Sequence, residues 1–387
     1  MIELQESQFD LALPLVEAMD YSNVVYAIIE RTVKGRIWVD EIADPTVVFL
    51  WDTERRFYLI GNHTSEEKNE NLKKILRDHI FSYGVKKELT QWTFHFEPFE
   101  WEEVLLELIS DYMPIADERI YYQFDNKNCK LPEGWKQKMK NDYRLELVNK
   151  SFLERYAETK NIKDILYELS SWTSHDVFFQ SGFGFCLIDN KTIASWCLGE
   201  YVSPKTKRIE VGIETYEDYQ KQGLATITGA AMVDFAINKG YKVGWHCWES
   251  NIPSAKTAEK IGYEFIKKYP VLFGWYNKID SLLVKARWIR TQFQEYELAV
   301  DFYNQAIQLY EKEDPIIKTS FILKDINIVY IFLAETYCQL EDANSALDLI
   351  QKAIDNGYTD YDRLQQSEHF EPLKTNSKWL KLIEKKE

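Results

Sequence analysis

The most regular alternation of apolar and polar positions lies in the middle of the chain. "YRLELV" (143–148) repeats with a period of two and predicts a strand, and helical spacing follows over 150–159 and 162–171. "GFGFCLID" (182–189) and "TIASWCLGEYVS" (192–203) flank the tight "DNK" turn and read as a hairpin. After "PKTK", the segment "RIEVGIET" (208–215) predicts another strand. Behind it "GLATITGAAMVDFAINKG" (223–240) carries apolar residues three and four apart and a stop at Gly240, which predicts a helix. "YKVGWHCW" (241–248) is a strand, "IPSAKTAEKIG" (252–262) a short helix with Pro253 in its first turn, and "YEFIKKYPVLFGWYN" (263–277) the closing strands.

Upstream, "TVVFLW" (46–51) and "RRFYLIGN" (55–62) predict strands that lead into a helix over "SEEKNENLKKILRDHIFSYG" (65–84). Ser65 is placed to cap its start and Gly84 to close its end. "QWTFHFEP" followed by "FEWEEVLLELISDY" repeats the strand–helix order, and the polar, Lys-rich "DNKNCKLPEGWKQKMKND" (125–142) has the composition of a linker. Downstream the chain turns helical. Tyr296, Ala299, Tyr303 and Ala306, then Tyr330, Leu333, Ala334, Tyr337, Ala346 and Ala353, resemble the tetratricopeptide spacing. Ala306 and Ala353 stand 47 apart against the usual repeat of about 34, so the insert "EKEDPIIKTSFILKD" (311–325) breaks the regularity; a plain helical bundle is the alternative. The expected fold class is α+β: an acidic α/β domain over 1–126, a mixed sheet flanked by helices over 143–278, and a separable all-α domain over 283–387.

Charge sharpens this division. The chain carries 62 acidic against 47 basic side chains, a net of −15, and residues 1–125 alone hold 25 against 12. Residues 126–280 are slightly basic, 22 against 19, so only this third would not repel a polyanionic ligand. Nonspecific nucleic-acid binding, which depends on neutralising phosphates, is disfavoured. No apolar run reaches the roughly 18 to 20 residues that span a bilayer. The start "MIELQESQFDLALPLVEAMD" is acidic where a secretory signal is basic, which favours a cytoplasmic location. The five cysteines are scattered without a CxxC, so neither a disulfide framework nor a metal site is expected.

"QKQGLA" (220–225) joins the strand 208–215 to the helix behind it. Its glycine serves either a turn with positive φ or the close approach of an anion to a helix N-terminus. The hexapeptide matches Q/R-x-x-G-x-G/A, and Asn251, Ser254 and Gly262-Tyr263 follow in the right order on the next strand and helix. Over about 143–278 the chain therefore resembles the GNAT superfamily of N-acetyltransferases. The wording "GIET", "WHCWESN" and "AEKIGY" looks most like the bacterial branch that includes a zwittermicin-type resistance acetyltransferase.

The resemblance implies acetyl-coenzyme A as co-substrate. Its pyrophosphate would lie on the backbone of Gln220, Lys221, Gln222, Gly223, Leu224 and Ala225, with Asn251 nearby. The acetyl carbonyl would meet backbone N–H groups within Ile213 to Thr215. A base is expected among carboxylates on the strand: Glu210 and Glu214, four apart, share a face. Glu249, at the end of the next strand, is a further carboxylate, and His246 reads as a half-buried structural histidine. The family's proton-donating tyrosine, seven residues after the asparagine, is replaced by Ala258, which leaves Ser254 as the stand-in donor and Tyr263 as a core residue. Cys247 has no second motif to make it a nucleophile, and the adjacent Ser174, His175 and Asp176 cannot form a triad. The implied activity is direct acetyl transfer to a primary amine of a small molecule. The alternatives are a non-catalytic acyl-coenzyme-A-binding module and a protein acetyltransferase whose helical repeats hold a protein partner.

Overall fold

The structure is a computed structural model that describes residues 1–125, 127–139 and 142–384. The expected linker therefore lies partly outside the described residues. Twelve strands form one sheet in the order β1-β2-β3-β4-β5-β12-β6-β11-β10-β9-β8-β7. They are β1 (Ile2–Glu3), β2 (Arg36–Val39), β3 (Val47–Trp51), β4 (Arg56–Gly61), β5 (Gln91–Glu97), β6 (Ile115–Phe124), β7 (Tyr143–Leu147), β8 (Gly184–Asp189), β9 (Thr192–Ser203), β10 (Arg208–Thr215), β11 (Lys242–Trp248) and β12 (Glu264–Trp275). The closing segment is thus one strand rather than several. The helices of this part are α1 (Asn23–Ile29), α2 (Glu66–Ile75), α3 (Trp101–Leu108), α4 (Lys150–Arg155), α5 (Ile162–Ser170), α6 (His175–Ser181), α7 (Leu224–Asn238) and α8 (Ile252–Ile261).

Read along the chain, the same order occurs twice. Three antiparallel strands, a helix, a strand parallel to the third, a helix and a last strand appear as β2-β3-β4-α2-β5-α3-β6 and again as β8-β9-β10-α7-β11-α8-β12. In the sheet the two last strands are exchanged: β12 lies between β5 and β6, and β6 pairs with β11. A single core, running from Leu4 to Val271, draws on both halves. The expected boundary near 126 does not separate two domains, because the sheet runs through both sides of it.

The chain divides differently, into a unit of Met1–Leu76 with Trp92–Leu108 and Ala116–Phe273, and a second unit of Arg77–Gln91, Ile109–Ile115 and Gly274–Glu387. The second unit has its own core and contains α9 (Lys278–Trp288), α10 (Tyr296–Glu311), α11 (Ile326–Gln339), α12 (Ala343–Asp355), α13 (Tyr361–Gln366) and α14 (Ser377–Glu384). Helices α9 and α10 pack together, as do α11 and α12. Ala299 and Ala306 on α10, like Ala346 and Ala353 on α12, are buried where alanine permits close approach.

Local chemistry explains several boundaries. Ser65 caps α2 by accepting from the Lys68 N–H at 3.4 Å. Gly84 does not close that helix: it sits inside a short helical turn, Ser82–Lys86, where a Cβ would overlap the ring of Tyr276. The "SHD" run is a helix start, with Ser174 accepting from the Val177 N–H at the head of α6. Among the described residues no helix is long and apolar enough to cross a membrane.

The helical unit begins before residue 283 and takes in two upstream segments, so it is not a C-terminal appendage. A chain ended after Ile279 keeps Ile80, Phe81 and Ile109, buried in the full chain, without the helices of their unit. Such a chain is expected to aggregate in size-exclusion chromatography; a soluble monomer with a cooperative thermal transition would show the unit to be separable after all.

Candidate active site

Strands β10 and β11 run parallel but pair only over Arg208, Ile209 and Glu210 with Lys242, Val243 and Gly244. Beyond that point each continues without the other, β10 to Thr215 and β11 to Trp248. Each arm stays extended because its outer neighbour holds it: β9 pairs with β10 through Thr215, and β6 pairs with β11 through Trp248. The result is a fork whose inner edges carry unpaired backbone. Ligands of open α/β sheets enter at such carboxyl ends of parallel strands.

A bulge sits at the same level. Tyr201 faces Glu210 and Gly199 faces Val211, which leaves Glu200 of β9 unmatched. The Glu200 side chain lies across Gly212, where a Cβ would overlap it, so this glycine is required by a close approach. Arg56 of β4 reaches in from the N-terminal half, with its guanidinium 3.3 Å from Glu200 and 3.9 Å from Glu210 and over the Tyr201 ring at 4.6 Å. His246 Nε2 stands 3.6 Å from Glu210, and its Nδ1 bonds the Tyr269 hydroxyl at 2.8 Å.

Burial raises the Glu210 carboxyl above its ordinary range, and Arg56 and Arg119 oppose that shift. Burial together with Arg119 and Arg56 pushes His246 well below its range, so the imidazole is neutral. Its side chain is only 4 % exposed, which agrees with a structural histidine. Glu214 is exposed, and its carboxyl is raised by burial of part of the group and by Asp164. Glu249, at the far end of β11, pairs with Lys268. Glu168 of α5, which lines a small cavity with Arg55, Glu200 and Tyr201, is pushed up to about 7 by burial and by Glu200.

At the tip of the β10 arm the loop 216–223 leads into α7. Lys221 and Gly223 adopt left-handed conformations with φ of 61° and 79°. Among the described residues, no acceptor meets the backbone N–H groups of residues 221–226. A Cβ built on Gly223 would meet nothing within 4 Å. Six backbone donors without an acceptor thus lie at the positive end of a 15-residue helix, and the pyrophosphate of coenzyme A fits that donor set. The loop is anchored from below: the Ser195 hydroxyl lies 2.7 Å from that of Thr215 and 3.0 Å from that of Thr228.

The glutamines of the motif are exposed and bond neighbouring groups of the chain. Gln220 donates to the Thr215 carbonyl at 3.2 Å, and Gln222 accepts from the Tyr143 hydroxyl at 3.3 Å. Leu224 is buried in the core. Asn251 is the N-cap of α8, accepting from the Ser254 N–H at 3.1 Å. Ser254 Oγ in turn accepts from Trp245 Nε1 at 3.1 Å, and its hydroxyl also bonds the Cys247 thiol. Ala258 is fully buried, and Tyr263 packs against Trp245 and Phe124 in the core. Cys247 is buried, and burial raises its thiol, which disfavours a nucleophilic role.

Sequence reading missed Arg56, Glu200 and Glu168. Arg56 opens the otherwise apolar strand β4, and Glu200 stands inside the largely apolar β9; a charge on such a strand was the available signal.

The corresponding junction of the N-terminal half is built differently. There β4 and β5 pair over five successive positions, Arg56–Ile60 with Thr93–Glu97, so no fork opens. Ser65 already occupies the head of α2, and Glu66 and Glu67 stand in its first turn.

Comparison with known proteins agrees with this geometry. Residues 13–272 match the family described as GNAT acetyltransferase. A curated relative from Bacillus subtilis (strain 168), "Uncharacterized N-acetyltransferase YdfB", is 21% identical over 275 residues, 70% of this chain and 97% of that protein. A solved GCN5-related N-acetyltransferase-like protein from Streptococcus suis shares the fold with a TM-score of 0.53 at 19% identity, covering 70% of this chain and 98% of its own. The forked parallel strands, the uncapped helix behind them and the match over residues 13–272 lead to one conclusion: the chain belongs to the GNAT acetyltransferase family and is an acetyltransferase, and such enzymes draw their acetyl group from acetyl-coenzyme A.

Proposed function

We propose that the protein transfers an acetyl group directly to a primary amine of a small molecule, and that the fork between β10 and β11 is where transfer occurs. The observation that carries this reading is the pairing of β10 with β11 that stops at Glu210, beside six unpaired N–H donors at α7. Acetyl-coenzyme A, when bound, supplies the activated acetyl group and a thiol leaving group. The N–H groups of 221–226 hold its pyrophosphate. The open edge of β10 within Ile213 to Thr215 donates to the acetyl carbonyl oxygen. Glu210 takes the proton from the amine, directly or through one water; burial raises its carboxyl, and Arg56 and Arg119 oppose that rise. Ser254 donates toward the departing sulfur. The acidic N-terminal segment and the resemblance to the zwittermicin-resistance-type branch support a cationic, amine-bearing small molecule as acceptor. The paired helices α9–α10 and α11–α12 support a tetratricopeptide-like reading of the helical unit, through which a protein partner would bind.

The pyrophosphate assignment is checked at Gly223. Gly223→Asn tolerates a positive φ and adds a side chain into the open space. Calorimetry is expected to show coenzyme A affinity at least about tenfold weaker, roughly 1.4 kcal/mol, with an unchanged thermal midpoint. Unchanged affinity would remove the assignment.

The base is checked by pH profile on any amine that a thiol-release screen identifies. A raised carboxyl is a base only above its pKa, so kcat/KM should rise with pH through that value. Glu210→Gln should flatten this limb and lower kcat by about 10² to 10⁴. Arg56→Met removes a cation that stabilises the carboxylate and should move the limb to higher pH, whereas Arg56→Lys restores it. A limb near pH 7 that survives Glu210→Gln and disappears in Glu168→Gln would transfer the role to Glu168. Ser254→Ala should lower kcat more than it weakens coenzyme A binding.

A further inference from the structure

Glu210 is a buried carboxylate, and one of its oxygens, Oε2, makes no close hydrogen bond. His246 Nε2 stands 3.6 Å from that oxygen, longer than a formed hydrogen bond. Catalytic hydrogen bonds are often long before the substrate arrives and tighten in the complex. What His246 can offer Glu210 depends on which ring nitrogen holds the proton, and the neighbours of the ring decide that.

Arg119 bonds the Tyr269 hydroxyl. A guanidinium has donors only, so the phenol oxygen accepts and its own proton is left for His246 Nδ1, 2.8 Å away. Nδ1 is therefore the acceptor, and a neutral imidazole whose Nδ1 accepts carries its proton on Nε2. The ring also bonds the Tyr21 carbonyl, which accepts only and so agrees with a donor at Nε2. Of the two acceptors beside Nε2, the carboxylate is the charged one and draws the proton more strongly. The plane of the ring is fixed as well: the Tyr121 ring stacks on it at 4.6 Å and 18°, and the Tyr269 ring meets it edge-on at 5.8 Å. The exchange of last strands brings these partners in. β6 lies beside β11 with Tyr121 opposite His246, and Arg119, two residues earlier, shares that face. Tyr269 reaches over from β12, on the far side of β6.

We propose that Tyr269 and His246 are positioning residues for the base, in a directed chain of donors that runs from Arg119 through Tyr269 and His246 to Glu210 Oε2. The chain holds the carboxylate by one oxygen and leaves Oε1 to the amine. This role, which rests on Glu210 being the base, asks no charge of His246. A neutral donor anchors the carboxylate without repelling a cationic acceptor, as another arginine would.

The test joins the tautomer to the rate. Long-range proton–nitrogen NMR of the full chain with isotope-labelled histidine should show His246, identified by the signal lost in His246→Gln, as a neutral ring with its proton on Nε2. In Tyr269→Phe, which takes away one hydroxyl, the ring should populate both tautomers. A proton on Nδ1 in the parent chain overturns the proposal. On any amine that thiol release identifies, Tyr269→Phe and His246→Leu should each lower kcat about tenfold, the worth of one hydrogen bond to a charged group, with KM for acetyl-coenzyme A unchanged. His246→Gln, whose side-chain amide reaches the place of Nε2, should recover most of the rate. A packing role would favour leucine at this buried position, so equal or higher activity of His246→Leu overturns the proposal. In a Glu210→Gln chain, Tyr269→Phe should cost nothing further. Loss of activity in Glu210→Gln with full activity in Tyr269→Phe removes the positioning role alone, whereas full activity in Glu210→Gln removes the base and its chain together.

Discussion

The opening in the sheet depends on two parallel strands that stop pairing. Separating β10 from β11 beyond Glu210 leaves backbone donors and acceptors without the ladder that normally satisfies them, and unpaired buried groups are costly. The fork survives because the cost is confined to one edge of each arm. Antiparallel partners, β9 and β6, hold the other edges along their full length. The bulge at Glu200 adds twist where the arms begin to diverge, and Gly212 gives its side chain room. Hydroxyls of Ser195, Thr215 and Thr228 then fix the turn from which α7 starts. The opening is therefore built from pairing on the outside rather than from any feature of the inner surface.

The two halves show what that difference amounts to. Both place a helix between parallel strands, yet β4 and β5 stay paired over five positions and Ser65 satisfies the head of α2. A capped helix with glutamates in its first turn repels an anion, whereas α7 starts at a glycine with open donors. The N-terminal half has kept the architecture without the opening. Its contribution to the site is a side chain: Arg56, at the start of β4, crosses to Glu200 and Glu210. Burial raises the carboxyl of Glu210, and a cation from the half that has no fork opposes that rise.

Much of the C-terminal half of the sheet was legible because its signals are local. Period-two alternation located β8 through β11, Gly223 marked the turn, and the Asn251 to Tyr263 spacing located α8. The N-terminal half was legible only as isolated strands. Its α2 junction shares no residue pattern with "QKQGLA", so the repetition of order was invisible without pairing. The exchange of β6 and β12 could not be read at all, since register between residues more than a hundred positions apart leaves no mark on either segment. Gly84 shows the same limit at one residue: its spacing suited a helix end, but the ring of Tyr276, remote in sequence, decides its identity. Arg56 and Glu200 were missed because a charge on an otherwise apolar strand has meaning only once its partner is known.

The exchange of last strands has a consequence for how the chain is made. Until residues 264–275 leave the ribosome, β5 and β6 have no strand between them, and both present bare edges. Nearly the whole N-terminal half must wait as an incomplete sheet while β7 to β11 are synthesised, and an open edge is a template for pairing with the wrong chain. Chains emerge at about 5 to 20 residues per second, so the gap between β6 and β12 lasts on the order of ten seconds. Until β12 fills that place, the N-terminal half therefore carries two strand edges that only the last strand of the sheet can cover.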